Sequence, residues 1–312
     1  MVSPARHLLA TAHNTPARAA LAPPLLAAGY GQDAVKTQAD WTNRRAALQA
    51  VFDAEIYGAP PPAPAVSMQH ETTLEAPEWA GAGRLDLHAL TLQPQSGGRA
   101  RLTLAVLTPD GPVRGVFLIP TECGLRALLS DARLDPPDGY RPGWCGAADG
   151  VGGPPGGMIG ALFGEHIQTP PLDAILARGF AVAAWHESAI APDSADLHGR
   201  SLAALGLDPD APNAPGVLSL WAWTMSAVID ALETNPELAD APVFAYGHSR
   251  RGKAVLLAGA RDERIDLVIA HQSGTAGAAP HADMTGEPVR SMARAYPHWF
   301  APAYQELAAA SE

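Results

Sequence analysis

Residues 243–260, VFAYGHSRRGKAVLLAGA, constrain the fold more than any other stretch: an apolar strand-like run meets a glycine-flanked serine and passes directly into an Ala/Leu-rich helical run. That order of elements is a nucleophile elbow, in which a tight strand-to-helix turn lifts a serine hydroxyl above a sheet edge. The helix that follows offers backbone N–H groups and a positive dipole end to a developing oxyanion. Ser249 is therefore the candidate nucleophile. The strict G-x-S-x-G pattern is not met, because Arg251 stands where the second glycine is expected and Gly252 follows it.

The elements around the elbow alternate as an α/β domain requires. Apolar residues at helical spacing predict a helix over residues 40–57, ended by the cluster Pro60, Pro61, Pro62 and Pro64. Alternation in residues 84–93 and 101–109 around a Ser-Gly-Gly turn predicts a β-hairpin, and GVFLIP at 115–120 a third strand. Residues 131–160 are dense in Gly, Pro and Asp and read as a long loop. A short helix then leads to FAVAAW at 180–185, a strand so apolar that both its faces must be covered. The run from Leu218 to Leu232 reads as a buried helix, and residues 264–274 as a strand with a polar tip at His271, Gln272 and Ser273. The expected layout is an N-terminal extension over 1–32 and one domain over 33–312.

Composition narrows the function. A formal net charge of -11 argues against nucleic acid, and no stretch is long and apolar enough to span a membrane. No secretory leader is evident in the first thirty residues, so the expected location is cytoplasmic. Cys123 and Cys145 allow at most one disulfide, lack metal-ligand spacing, and read as buried or loop thiols. No metal and no cofactor are implied. Arg251 reads as solvated, and Trp299 as a core residue outside the site.

With GHSRRGK at 247–253, the chain resembles the glucuronoyl esterases, carbohydrate esterase family 15, and their bacterial members in particular. The resemblance extends through WTNRRAALQAVFDAEIYG, RGFAVAAW followed by Pro192-Asp193, APGVLSLWAWTMSAVIDALE, DERIDLVIAHQSGTAGAA, and GEPV with PHWF. It implies an α/β-hydrolase three-layer sandwich and a serine hydrolase of 4-O-methyl-glucuronoyl esters, with a small-molecule or oligosaccharide uronate ester as partner. It also implies that Arg250 helps to hold the oxyanion, where a fixed, permanently charged fork suits the task. Lys253 and Glu287 match positions that contact the uronic sugar.

The same resemblance marks what is missing. Many members carry a catalytic glutamate at the position of Gln272, and a neutral amide cannot stabilise an imidazolium. The family's catalytic histidine is expected beyond PHWF, whereas this sequence stops shortly after it. A sheet without its last strands and final helix is therefore expected, in an esterase left weak or inactive by the missing histidine and acid region. His271 is the best internal substitute base, and His248 is expected to point away from the serine. Two other readings compete: a uronate-binding pseudoenzyme, and an esterase for acetyl or other small esters.

Overall fold

The computed structural model describes residues 28, 33–81, 83–134, 140–142, 145, 170–279 and 287–309. The N-terminal extension expected over 1–32 and most of the long loop expected over 131–160 lie outside these residues. The first helix, α1 (Gln38–Glu55), starts at a capping box. Thr37 Oγ1 accepts from the Asp40 N–H at 3.1 Å, and the Asp40 carboxylate accepts from the Thr37 N–H at 2.9 Å. The two bonds satisfy backbone donors that a helix start otherwise leaves open.

Among the described residues seven strands follow: β1 (Ala65–Glu75), β2 (Gly83–Gln93), β3 (Ala100–Pro109), β4 (Val116–Thr121), β5 (Ala181–His186), β6 (Val243–His248) and β7 (Ile265–His271). They form one sheet in the order β1-β2-β3-β5-β4-β6-β7. The hairpin read from the sequence is β2–β3, with Gly83 opposite Pro109. The antiparallel pairs are β1–β2, β2–β3 and β3–β5, whereas β4–β5, β4–β6 and β6–β7 are parallel. The four strands β5, β4, β6 and β7 thus point their C-terminal tips the same way, and their loops converge where such sheets place their chemistry.

Helices cover both faces. One core cluster packs α4 (Ala195–Ala204), α5 (Val217–Leu232) and α6 (Arg250–Arg261) on the sheet with α8 (Pro302–Ala309). The other places α2 (Leu125–Leu129) and α3 (Leu172–Leu176) over Ile119, Val182, Ala184 and Tyr246. β5 is buried along its whole length, as its unbroken apolar run requires. The last helix before the C-terminal turn is α7 (Val289–Ala295). β7 is the sheet's edge among the described residues, with Leu267 48% exposed.

Candidate active site

The elbow forms at the junction of β6 and α6. Ser249 sits there at φ 56° and ψ -121°, a backbone region that costs a non-glycine residue about 1–3 kcal/mol and is characteristic of strained functional turns. Its N–H donates to the His271 carbonyl at 2.9 Å, tying the turn to the tip of β7. The missing second glycine is explained by how tightly the turn closes. A Cβ on Gly247 would lie 2.3 Å from the Arg251 carbonyl oxygen, so position 247 must be glycine. Gly252 takes the other close approach, where a Cβ would lie 3.0 Å from that of Ser273. Position 251 lies between the two contacts and is free to carry a long side chain.

That side chain corrects the expectation of a solvated arginine. Arg251 is buried between the loop after β4 and the 3-10 turn after β5. Its Nη2 donates to Glu122 Oε1 at 3.1 Å, and its Nη1 lies 2.8 Å from Glu122 Oε2 and 3.6 Å from Glu187 Oε1. Burial disfavours its charge, but the two carboxylates outweigh that and raise its pKa. For Glu187, burial dominates and pushes the carboxyl up to about 8, against the pull of Arg251. The next residue after Glu122 brings a second correction. Cys123 is not a thiol but forms a disulfide with Cys145, with Cα atoms 5.3 Å apart.

Arg250, the first residue of α6, faces a different partner. Its Nη1 pairs with Asp193 Oδ2, and its guanidinium carbon lies 5.1 Å from the Trp299 ring centre and 5.7 Å from that of Tyr296. Asp193 Oδ1 also accepts from Trp299 Nε1 at 2.6 Å and pairs with His298 Nε2 at 2.8 Å. Burial pushes the Asp193 carboxyl up, but the His298 bond, the Arg250 charge and the Trp299 N–H prevail and hold it at about 2. Trp299 is a core residue, as read, yet it is not outside the site: it lies against Arg250 and within 5.9 Å of Lys253 Nζ. The sequence reading passed over Asp193. Its only signal was the Pro-Asp pair after the FAVAAW strand.

Lys253 is buried, and its ammonium donates to the carbonyls of Ser273 and Thr275, the latter at 2.7 Å. Burial lowers its pKa to about 8, opposed by the charge of Glu287. Glu287 is exposed and accepts from the Thr275 hydroxyl through its backbone carbonyl at 2.7 Å. Lys253 and the Glu287 carbonyl thus both anchor Thr275 beside the elbow. Gln272, at φ 51°, contacts His248 Nε2 through Oε1 at 2.9 Å. Burial lowers the His248 pKa, against that bond.

His271 does not serve the serine with its ring. It packs edge-on against His248 at 5.2 Å and places Nδ1 3.5 Å from the Tyr246 hydroxyl. Its ring also lines an apolar groove with Phe117, Ile175 and Ile269. Among the described residues, no imidazole is hydrogen-bonded to Ser249. His186, at the tip of β5, bonds the Glu122 carbonyl at 3.1 Å instead. No cluster of potential metal ligands and no helix long and apolar enough to cross a membrane occur among the described residues.

The sequence and the fold have counterparts among known proteins. A family model described as "Glucuronyl esterase, fungi" matches residues 163–308. A carbohydrate esterase of an unknown prokaryotic organism is 41% identical over 85 residues, which are 27% of this chain and 20% of that protein. The 4-O-methyl-glucuronoyl methylesterase 1 of Wolfiporia cocos is 35% identical over 105 residues, 32% of this chain and 24% of its own length. The matched segments thus span about a quarter or less of these relatives. Over the whole fold, a glucuronoyl esterase structure from Solibacter usitatus superposes with a TM-score of 0.74 at 26% identity, covering 94% of this chain and 73% of that one. A family 15 glucuronoyl esterase from Teredinibacter turnerae gives 0.67 at 25% identity, covering 92% and 64%. By local sequence and by fold, the chain is a relative of the glucuronoyl esterases of carbohydrate esterase family 15, built on the α/β-hydrolase fold.

Proposed function

We propose that this chain carries the nucleophile and oxyanion half of a serine ester hydrolase acting on glucuronoyl esters. The observation that carries the reading is the strained Ser249 at the head of α6 with Arg250 fixed beside it. In this reaction Ser249 Oγ attacks the ester carbonyl carbon, and the C=O electron pair moves onto oxygen. The first turn of α6 and the Arg250 guanidinium favour that negative charge. Collapse expels the alcohol, which leaves with a proton, and a glucuronoyl-serine remains. Water then attacks the acyl carbon and releases the uronic acid, returning the proton to Ser249. A general base must accept the serine proton, and it is not among the described residues that touch Ser249.

Curated relatives named for 4-O-methyl-glucuronoyl methylester cleavage support a uronate as the acid part of the substrate. Lys253, held near the elbow with Glu287 across the loop, supports the same choice, because a cation and a carboxylate can grip hydroxyls and ring oxygens together. The test compares hydrolysis of benzyl glucuronate with that of 4-nitrophenyl acetate. The reading predicts a kcat/KM at least about 10-fold higher for the glucuronate relative to each ester's uncatalysed rate, the scale that one net hydrogen bond supplies. Equal or reversed preference would favour an esterase for small acyl groups.

One observation favours a second reading. Gln272 occupies the strand tip where a carboxylate would serve a catalytic histidine, and no described imidazole bonds Ser249. Saturable glucuronate binding without turnover would select that pseudoenzyme. As to location, the Cys123–Cys145 disulfide supports an oxidising compartment over the cytoplasmic placement read from the sequence, because thiols stay reduced in the cytosol of mesophiles.

A further inference from the structure

We infer that Asp193, in the loop between β5 and α4, is a positioning residue that aims the Arg250 guanidinium at the oxyanion formed above Ser249; the inference rests on the acyl-transfer reading. The elbow fixes where the Arg250 backbone stands, but not where its head group goes. An arginine side chain has several freely rotating bonds, and its planar fork stabilises a developing charge only when held in one orientation.

Asp193 supplies that hold. One carboxylate oxygen takes Arg250 Nη1. The other is occupied by His298 Nε2 and Trp299 Nε1, so the carboxylate cannot turn to follow a moving arginine. Its side chain is only 6% exposed, which keeps water from competing for the pair. The Tyr296 and Trp299 rings stack on each other at 3.9 Å and 6° and give the guanidinium an aromatic surface to lie against. Three separate parts of the chain therefore converge on one head group: the loop after β5, the start of α6 and the turn at 297–299. Trp299 and His298 act on Arg250 through Asp193, and Trp299 also acts directly through its ring.

The test is a double-mutant cycle on the hydrolysis of an activated aryl ester of glucuronic acid, whose good leaving group keeps expulsion of the alcohol from limiting kcat, so that forming an oxyanion, in acylation or deacylation, sets the rate. Asp193→Asn keeps the shape and removes the charge. It is expected to lower kcat about 30-fold with KM changed less than about twofold, a little below the loss seen when an oxyanion donor is removed outright. In an Arg250→Gln background, Asp193→Asn is expected to cost less than about threefold more, because residues that act through one another are not additive. Trp299→Phe keeps a six-membered aromatic ring beside Arg250 but deletes the N–H with the rest of the pyrrole ring. It is expected to lower kcat about fivefold in the wild-type background and not in the Arg250→Gln background.

Thermal melts confirm that each variant is folded, and Trp299→Phe carries the test if Asp193→Asn is not. Losses that multiply independently of Arg250, or that fall on KM alone, would overturn the inference while leaving the esterase reading intact. Wild-type protein with no Ser249-dependent hydrolysis would overturn both.

Discussion

Arg251 and Glu122 meet across the gap between α6 and the loop after β4, with Nη1 2.8 Å from Oε2 and both side chains buried. The residue two places beyond the nucleophile is thereby pinned to the strand that runs beside the elbow. Taking away one member of such a pair leaves an uncompensated buried charge. Arg251→Met is expected to cost about 3–5 kcal/mol in urea unfolding. The double variant Arg251→Met with Glu122→Gln should recover part of that loss. A cost below about 1 kcal/mol for the single change would mean that the pair does not hold the elbow.

Glu187 gives the same cluster a pH signature. Burial raises its folded pKa to about 8, whereas the unfolded carboxyl titrates near the ordinary value. Between those values the folded state holds a proton that the unfolded state releases, so stability falls as pH rises from about 5 to 8. Glu187→Gln should flatten this slope and raise stability at pH 8 by several kcal/mol, since each unit of raised pKa corresponds to about 1.4 kcal/mol. Melting temperatures of both proteins across pH 5–8 check it. Parallel profiles would show that Glu187 is ionised in the folded state.

Gly247 and Gly252 should differ in their tolerance of a methyl group. Alanine at 247 places Cβ 2.3 Å from a backbone carbonyl oxygen, and alanine at 252 finds its nearest neighbour, a side-chain carbon, at 3.0 Å. Gly247→Ala is expected to cost at least about 2 kcal/mol and to abolish Ser249 chemistry, while Gly252→Ala costs about 1 kcal/mol. Chemical denaturation and esterase assays of the two variants separate these outcomes.

The disulfide predicts a redox dependence. Cys123 and Cys145 are 22 residues apart, and closing a loop of that size stabilises a protein by about 3 kcal/mol. Dithiothreitol should lower the urea midpoint of the wild type and leave a Cys123→Ser/Cys145→Ser variant unchanged. No midpoint shift on reduction would show that the bond is not formed in solution.

Much of the fold was legible because its signals are local. The hairpin at β2–β3, the buried β5 and the helix α5 each declare themselves by periodicity or by an unbroken apolar run. β1 was missed because only Val66, Met68 and Leu74 turn toward the core, and the exposed polar stretch from Gln69 to Thr73, with its register shift between His70 and Thr72, interrupts the alternation. At the site, Ser249 and Gly247 were legible because a strand-turn-helix constrains a few neighbouring residues. Arg251 was misread because the burial of a charge is decided by its partner, and Glu122 lies 129 positions upstream. Asp193 was missed for the same reason: His298 and Trp299 are 105 and 106 positions away from it.

The central claim is that Ser249 is the nucleophile of a glucuronoyl ester hydrolase, and the direct measurement is benzyl glucuronate hydrolysis by the wild type and by Ser249→Ala. The account predicts slow but measurable turnover that Ser249→Ala abolishes, since no described imidazole activates the serine. Turnover that survives in Ser249→Ala, or its absence in folded wild-type protein, would contradict it.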